Sequence, residues 1–293
     1  MKDIKLTTDV ATPRAGFSIG YNDSMLFVGS CFAENMGMRM SDMGFKVNIN
    51  PFGIMYNPLS MADALNRCLD GNTIGESNLV QHDGLWHSWL HHGRFSHYDK
   101  SQCLQACNQA IMEAHAFLET CNTVIFTFGS AWHYRLKSDD SVVANCHKVP
   151  AATFEKRLAT LEESLKLWNP LIERLLDGGR RVVLTISPVR HQAYGAHGNQ
   201  LGKAVLMLMV DNLMSNFQSK GGLEYFPSYE IVVDELRDYR FYADDMAHPS
   251  SLAEEIVWRR FQNVFFDDQT KTRCDAACEE LRRKAHRPIN STR

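Results

Sequence analysis

Five short apolar runs stand out along the chain, and the stretches between them repeat apolar residues every three or four positions. The runs are rich in β-branched and aromatic residues, which are typical of buried strands. They cover residues 25–29, 45–49, 123–128, 181–187 and 230–236. The periodic stretches predict helices at residues 32–43, 59–69, 102–119, 153–177, 199–219, 250–265 and 273–286. Pro170 predicts a kink or break in the fourth helix, and Gly178 and Gly179 predict its end.

The order of these elements predicts the fold class. Strands that alternate with helices form a mostly parallel sheet with helices on both faces, which is the α/β class. No internal repeat, low-complexity linker or sharp change of composition divides the chain, so we expect one domain over residues 1–293. Within it, the loop-rich residues 70–100 predict an insertion, and residues 267–293 predict a helical extension.

Composition and charge leave this picture unchanged and narrow the set of partners. The chain has 293 residues, of which 44% are hydrophobic, and its formal net charge of −3 favours neither nucleic acid nor an anionic membrane as partner. No apolar run reaches the ~20 residues of a membrane helix, and the polar N-terminus lacks the core of a signal peptide. We therefore expect a cytoplasmic protein with mostly free cysteines. No glycine-rich nucleotide-binding motif occurs, so we expect no organic cofactor.

The carboxyl ends of the predicted strands are where chemistry is expected, because ligands of open parallel sheets bind there. The first strand ends at Gly29, and Ser30 and Cys31 follow at the predicted start of a helix. Backbone amides and the positive end of the helix dipole favour a thiolate at Cys31 and are suited to hold an oxyanion. The alternative is a small buried thiol, with Ser30 as the helix cap.

The stretch DDMAHPS, residues 244–250, places Asp245 and His248 three positions apart just before the last long helix. A carboxylate at that spacing can accept the proton of one imidazole nitrogen and leave the other nitrogen free as a base. Pro249 suits the first turn of the helix. The alternative is that Asp245 caps the helix and His248 is solvated. An early nucleophile and a late acid–imidazole pair are more informative together than either is alone.

Seven blocks occur in order from Asp23 to Phe265: GSCFA, NPFGIMYNP, FTFGSAWHYRL, TISPVRH, YFPSYEI, LRDYRFY and DDMAHPS. Together they resemble the GSCFA family, which belongs to the SGNH (GDSL-like) hydrolase superfamily. The resemblance implies a flavodoxin-like three-layer α/β/α fold. It also implies an enzyme that hydrolyses or transfers acyl groups on esters.

The resemblance assigns roles to individual residues of this chain. Cys31 lies at the position of the nucleophilic serine, and Ser30 lies where that motif has an aspartate. Gly53 in NPFG best matches a glycine whose amide is an oxyanion donor. Asp245 and His248 match the last block without change.

The third block departs from the superfamily pattern. Its G-x-N-D motif normally supplies an asparagine side chain to the oxyanion hole, but Ala131 occupies that position here, after Gly129 and Ser130. One such donor is worth roughly 3–4 kcal/mol of transition-state stabilisation. Ser130, a neighbouring backbone amide, His133 and Asn57 are the candidates to replace it.

Two further groups of polar residues require an interpretation. The stretch 86–97 contains His87 and His91 at a spacing that would suit a metal site on a helix. We expect instead a substrate-facing loop with His91 as an active-site lid residue, and a packed insertion is the alternative. Arg190 and His191 follow the strand at 181–187, at the active-site edge of the sheet. Arg190 is suited either to an anionic substrate group or to a structural ion pair.

Three hypotheses for function follow. The first is an enzyme that acts on ester or thioester bonds of a small molecule or glycan, with Cys31 as nucleophile, His248 as base and Asp245 as its orienting group. The second is a binding module for a carbohydrate or acylated glycan on the same fold. The third is a metal-dependent hydrolase that uses the histidines of residues 82–97. Our preferred interpretation is the first, without a metal.

Overall fold

A computed structural model describes residues 7–285 of the chain. The strands are β1 (Ser24–Gly29), β2 (Lys46–Ile49), β3 (Leu79–His82), β4 (Leu85–Ser88), β5 (Thr123–Phe128), β6 (Trp132–Leu136), β7 (Val142–Val143), β8 (Phe154–Leu158), β9 (Arg181–Ile186) and β10 (Leu223–Phe226). The helices are α1 (Cys31–Asp42), α2 (Pro58–Asp70), α3 (Lys100–Thr120), α4 (Leu161–Asp177), α5 (Gly195–Phe217), α6 (Ser228–Glu230), α7 (Ser251–Phe265) and α8 (Asp268–Ala285).

Five strands form a central parallel sheet in the order β10-β9-β5-β1-β2. Numbered among themselves and read from the other edge, these strands have the order 2-1-3-4-5 of flavodoxin-like doubly wound folds. Side chains of β1 alternate between the two faces, as the period of a strand requires. Leu26 and Val28 pack in the cluster that includes α2, α3, α4 and α5, whereas Met25 and Phe27 pack in the cluster that includes α1 and α7. The predicted three-layer α/β/α fold is confirmed.

The predicted strand at residues 230–236 is wrong, because this segment is helical. The short helix α6 continues into a π-helical turn at Ile231–Leu236, and the fifth strand of the sheet is β10 instead. The hydroxyl of Ser228 anchors the segment by donating to the carbonyl of Ile186, at 2.7 Å, and by pairing with the hydroxyl of Thr185, at 2.6 Å. A short apolar run does not distinguish a strand from a buried helical turn.

The predicted helix at residues 153–177 consists of two elements, strand β8 and helix α4. A capping box separates them: the amide of Glu163 donates to the Thr160 side chain, and the Glu163 carboxylate accepts from the Thr160 amide. Pro170 lies inside α4 without ending it, so the predicted break is wrong. The helix ends at Gly178, as predicted.

Two added segments stand beside the central sheet. The stretch 70–100 contains the hairpin β3–β4, whose turn residues Asp83 and Gly84 both have positive φ, as a tight hairpin turn requires. Between β5 and α4 the chain forms a second, antiparallel sheet in the order β7-β6-β8, which the sequence did not predict.

Helix α8 begins at Asp268, five residues before the predicted helix at 273–286. Residues 1–6 and 286–293 lie outside the described part of the chain, and so does the end of the predicted extension at 267–293. Among the described residues, no helix is long and apolar enough to cross a membrane.

Candidate active site

Cys31 is the first residue of α1 and directly follows β1 through Gly29 and Ser30. Burial raises the pKa of its thiol, and hydrogen bonds from the backbone amides of Phe32 and Cys31 itself act in the opposite direction. The carboxylates of Glu254 and Glu34 raise the pKa further. Burial outweighs the amides, so the helix start alone does not favour a thiolate, contrary to the expectation from sequence. At neutral pH the group is a thiol that needs a base.

Ser30 occupies the N-cap position of α1, but its side chain makes no capping hydrogen bond. The residue is fully buried, and its hydroxyl has no hydrogen-bond partner in the described protein. Its backbone amide instead donates to the carbonyl of Thr127 on the neighbouring strand, at 3.2 Å. Ser30 therefore fixes the position of the strand end. It is neither a capping side chain nor part of the cavity wall described below.

Asp245 and His248 form the predicted pair. The ring Nδ1 of His248 donates to Oδ2 of Asp245 at 2.6 Å, and Oδ1 accepts from the amides of Ala247 and His248, both at 2.9 Å. These bonds, led by the one from the His248 amide, hold the pKa of Asp245 at about 2, so it is ionised at neutral pH. An ionised carboxylate only accepts, so the ring proton sits on Nδ1 and Nε2 is left as the basic nitrogen.

The loop that carries this pair, residues 244–250, is held by Arg190 and Gln192. Met246 has a left-handed backbone, with φ of 56°, and its carbonyl accepts from Arg190 Nη1 at 3.1 Å and from Gln192 Nε2 at 3.0 Å. The Arg190 guanidinium also lies over the rings of Tyr239 and Tyr242, at 5.6 and 5.5 Å. Arg190 makes no ion pair among the described residues, so the structural ion pair considered from sequence is not formed, whereas its role towards an anionic substrate group stays a prediction. It contacts backbone and aromatic rings and supports the loop.

Helices α1 and α7 bring the thiol and the imidazole to the same end of the molecule. Asn35 Nδ2 donates to Glu254 Oε1 at 2.8 Å, and Arg39 pairs with Glu255 one turn further along. These contacts place the middle of α1 beside residues 254 and 255, near the start of α7. Cys31 is the first residue of one, and His248 precedes the other by three residues.

A cavity of about 490 Å³ opens beside His248. Its wall includes several residues predicted from sequence: Asn57, Ser130, His133, Arg190, His191 and His248. The two added segments complete the wall, with His92 from the 70–100 insertion and Trp132, Tyr134 and Cys146 from the segment after β5. A larger cavity, of about 800 Å³, lies elsewhere between α2, α4 and the added segments and contains none of the predicted site residues.

The amide of Gly53 is not free to hold an oxyanion, because it donates to the carbonyl of Asn50 at 2.7 Å. Gly53 has a positive φ of 83°, and a Cβ there would lie 2.1 Å from the Cβ of His92. The glycine is therefore required by a tight turn and by the approach of the insertion. The donor role inferred for Gly53 from the resemblance is not supported by this geometry.

The amides after β5 are also occupied. Those of Gly129 and Ser130 both donate to the carbonyl of Tyr56, at 2.9 Å each. The Ser130 hydroxyl accepts from the Trp132 amide at 3.2 Å and keeps its own proton for a ligand. Ala131, at the position of the missing asparagine, is fully buried. Of the Gly129 amide, the Ser130 amide and the Ser130 hydroxyl, the hydroxyl is thus the donor left for a ligand.

His133 and His191 are neutral histidines of the wall. The guanidinium of Arg135 donates to Nε2 of His133 at 3.1 Å, which places the ring proton on Nδ1. That Nδ1 is buried and has no partner among the described residues. Burial lowers the pKa of His133, and burial with the charge of Lys203 lowers that of His191 to about 4. Asn57 caps α2 by accepting from the amide of Ser60, as its place before a helix favours.

The lid role predicted for His91 is wrong. Its ring is fully buried, stacks on Phe52 with 4.3 Å between centroids, and pairs with the Ser88 hydroxyl at 2.9 Å. His87 is bound to Ser96 and to the carbonyl of His82. Over residues 7–285 no group of three or more His, Cys, Asp or Glu side chains is placed to hold a metal ion. The packed insertion, the alternative interpretation, describes this segment better.

Two buried polar residues near the strand ends were not predicted as site residues. Asn50 has a left-handed backbone, with φ of 46°, and its Oδ1 accepts from the amide of Gly29 at 2.8 Å. Asparagine is one of few residues that tolerate this conformation, which was the available signal. Lys203 on α5 is fully buried, and its signal was a single charge beside the apolar run AVLMLMV.

Three solved structures are similar to this chain at low sequence identity. The structure of a GDSL-like lipase from Bacteroides thetaiotaomicron is similar at 10% identity, with 87% of this chain and 90% of that chain covered and a TM-score of 0.42. The structure of a candidate acylhydrolase from Bacteroides fragilis is similar at 9% identity, with 92% of this chain and 92% of that chain covered and a TM-score of 0.43. The structure of a candidate platelet activating factor from Streptococcus pneumonia is similar at 11% identity, with 82% of this chain and 83% of that chain covered and a TM-score of 0.42.

No curated protein matches the sequence. The model of the GSCFA family matches residues 24–261, from the first residue of β1 into α7. This match covers most of the chain and includes the Cys31 turn and the loop of Asp245 and His248. The chain therefore belongs to the GSCFA family.

Proposed function

We propose that the protein hydrolyses ester or thioester bonds, or transfers their acyl groups to another acceptor. In this proposal Cys31 is the nucleophile, His248 is the general base and then the general acid, and Asp245 orients the imidazole. The observation that carries the proposal is the Asp245 carboxylate. It accepts one ring hydrogen bond and two backbone hydrogen bonds from the same short loop, which fixes His248 with its Nε2 free. A fixed imidazole with a free nitrogen is the activating partner that a buried thiol lacks.

In the proposed reaction, His248 Nε2 takes the proton of the Cys31 thiol, and the sulfur electron pair forms a bond to the acyl carbonyl carbon. When the tetrahedral intermediate collapses, the C–O or C–S bond to the leaving group breaks, and the leaving group takes the proton from His248. The acyl group remains on Cys31 as a thioester. Water or another acceptor then attacks it, with His248 acting as base a second time, and the thiol is regenerated.

The amides of Phe32 and Cys31 are the proposed backbone donors to the oxyanion, because both already donate towards the Cys31 sulfur. The Ser130 hydroxyl, the Asn57 amide and His133 Nδ1 are the proposed side-chain donors of the wall. One well-placed donor contributes about 3–4 kcal/mol of transition-state stabilisation, so the groups that take the place of the missing asparagine strongly affect the rate.

We propose a sugar ester as the substrate. Four aromatic residues line the cavity, and no Asp, Glu or Lys side chain does so in the part of the chain that the structure describes. The Trp132 indole is fixed because its N–H donates to the carbonyl of Gly198 at 2.8 Å. Rigid aromatic surfaces with a few polar donors suit a ring that has apolar faces and polar edges. The aromatic residues are Tyr56, Trp132, Tyr134 and Tyr194.

The test of the chemistry uses an activated ester and intact mass. We expect acyl label on Cys31 of the wild type during turnover, no label and no turnover for Cys31→Ala, and no turnover for His248→Ala. Cys278→Ala removes another half-buried thiol, on α8 and outside the cavity wall, and is the matched control, with activity unchanged. Undiminished turnover by Cys31→Ala would refute the assignment.

The second candidate is a binding module for an acylated glycan. The observation in its favour is Ala131, which stands where an oxyanion-hole asparagine is expected and is fully buried. Saturable binding of an acetylated sugar without turnover or acyl label would support this candidate over the first.

For the sugar assignment itself, Trp132→Ala should reduce kcat/KM for the acetylated sugar about tenfold and leave p-nitrophenyl acetate hydrolysis nearly unchanged.

A further inference from the structure

Lys203 is a buried lysine at the carboxyl edge of the central sheet. It is only 1% exposed, and its ammonium donates to the carbonyls of Gly129 and Ser187, at 2.7 and 2.6 Å. These carbonyls follow the neighbouring strands β5 and β9. Lysine is rarely buried to this extent without a carboxylate partner, and the hydrogen bonds of Lys203 in the described protein are to carbonyl groups alone.

Close packing of α5 brings Lys203 to this place. The preceding residue is Gly202, where a Cβ would lie 3.0 Å from the Ser130 hydroxyl and 3.1 Å from Trp132 Cδ1. The helix therefore lies directly against the segment that follows β5. The side chain of Lys203 extends from this contact to the ends of the two strands, behind the wall of the cavity.

The two carbonyls and the ring of Tyr229 hold the ammonium, but no carboxylate of the described residues pairs with it, so the buried charge calls for a further explanation. Burial lowers the pKa of Lys203 to about 7, and the negative charge of Cys31 is the influence that raises it. The geometry brings the two groups together: Gly29 pairs with Thr127 in the parallel register, so Cys31 lies level with Gly129, whose carbonyl accepts from Lys203 Nζ at 2.7 Å. The ammonium at this place favours the Cys31 thiolate. It opposes the burial and the carboxylates that keep the thiol protonated.

We propose that Lys203 is a positioning residue that acts through Cys31: its ammonium, held by the carbonyls of Gly129 and Ser187, stabilises the negative charge on the Cys31 sulfur after the thiol proton has moved to His248. The inference rests on the proposed role of Cys31. In this step the S–H bond breaks, the electron pair stays on sulfur, and the proton passes to Nε2 of His248. No group other than these three side chains takes part.

Several other titratable groups face the two residues and are part of any pH profile. Those acting on Cys31 are Glu34 on the same helix and Glu254 on α7, and the charge of Cys31 also raises the pKa of Tyr56. Around Lys203 are His191, whose pKa it lowers, and Tyr229, whose ring lies 5.3 Å from Nζ. The experiments therefore compare variants or adducts that change one charge at a time.

The first experiment measures the pH dependence of Cys31 alkylation by iodoacetamide, followed on its peptide by mass spectrometry. In Lys203→Met, which removes the charge and keeps a similar volume, the midpoint should rise by about one unit, so alkylation at a fixed lower pH slows about tenfold. Cys278, a half-exposed thiol on α8, is the internal standard and should not change. An unchanged Cys31 midpoint in the folded variant overturns the proposal, because a purely structural lysine would not move it.

The second experiment uses the wild-type sequence and does not depend on the folding of a variant. Cys31 is converted to its carboxymethyl form with iodoacetate or to its neutral carbamidomethyl form with iodoacetamide. The titration of Lys203 is then followed by NMR, through the lysine signal with a midpoint near 7. The carboxymethyl form should show a midpoint higher by about one unit. Equal midpoints in the two forms overturn the proposal.

The two proposals fail in different ways. If Cys31→Ala retains turnover, the proposed function is wrong, whatever the alkylation shows. If Cys31→Ala is inactive and the alkylation and NMR midpoints do not move, the acyl chemistry stands and only the role of Lys203 is wrong.

Discussion

Replacing Asp245 by asparagine tests the most direct structural support for the proposed mechanism. The amide oxygen of an asparagine can still accept from the backbone amides of Ala247 and His248, so the loop should keep its shape. The amide nitrogen, however, would face Nδ1 of His248 and donate to it. The ring would then carry its proton on Nε2, where a base is needed.

The size of the effect follows from the exposure of the pair. The equivalent change in a buried serine-protease triad lowers kcat about 10⁴-fold. Here both side chains are 50% exposed, so water competes for the ring nitrogen and weakens the preference for the wrong tautomer. We therefore expect kcat/KM for an activated ester to fall by about 10²–10³-fold, with little change in Tm.

The assay is the pH profile of kcat/KM with p-nitrophenyl acetate for wild type, Asp245→Asn and Asp244→Asn. Asp244 is the exposed neighbouring carboxylate and controls for the loss of one negative charge from the loop. Activity of Asp245→Asn within threefold of the wild type would refute the assignment of His248 as an oriented base. So would an equal loss in both variants.

Two predictions concern stability. Gly53→Ala should lower the free energy of unfolding, measured by urea titration, by about 2–5 kcal/mol, because the strain of a positive φ and the clash with His92 add together. The control Gly44→Ala should lower it by only about 1–2 kcal/mol, since Gly44 has a similar φ of 87° but open space around it. Equal losses would contradict the proposed clash. Burial lowers the pKa of His91 to about 3, so the unfolded chain binds its proton first, and stability is lost as pH falls from about 6.5 towards 3. From pH 7.5 to 5 this loss is about 2 kcal/mol, and His91→Gln should show a shallower pH dependence of unfolding; an unchanged slope would argue against it.

The strongly apolar parts of the fold could be predicted from sequence. Continuous apolar runs such as TVIFTF are typical of strands in a sheet that is covered on both faces. Strand β5 begins and ends at the predicted residues 123–128. The second sheet was missed because its strands mix polar and apolar residues, as in FEKRL of β8, which also fits a helical period. The short run at residues 230–236 failed for a related reason, since its burial is decided by the tertiary contacts of Ser228.

The site shows the same division. Asp245 and His248 are neighbours in sequence, so their hydrogen bond could be predicted from their spacing. The destination of a backbone amide could not be predicted, because it depends on which carbonyl the folded chain brings near. This is why Gly53, whose amide donates to Asn50, was misjudged as a donor. The buried position of the Lys203 ammonium depends on contacts with residues far away in sequence and could likewise not be predicted.

The wall of the cavity has a consequence for how this protein can diversify. Cys31 and the loop of Asp245 and His248 belong to the segments around the central sheet, whereas His92, Trp132, Tyr134 and Cys146 belong to the two added segments. A change in length or sequence of those segments leaves the register of the parallel strands untouched. Under the proposed function, the reacting groups and this part of the cavity wall lie in separate stretches of chain, and exchanging residues 132–158 between relatives would change the substrate without changing the reacting groups.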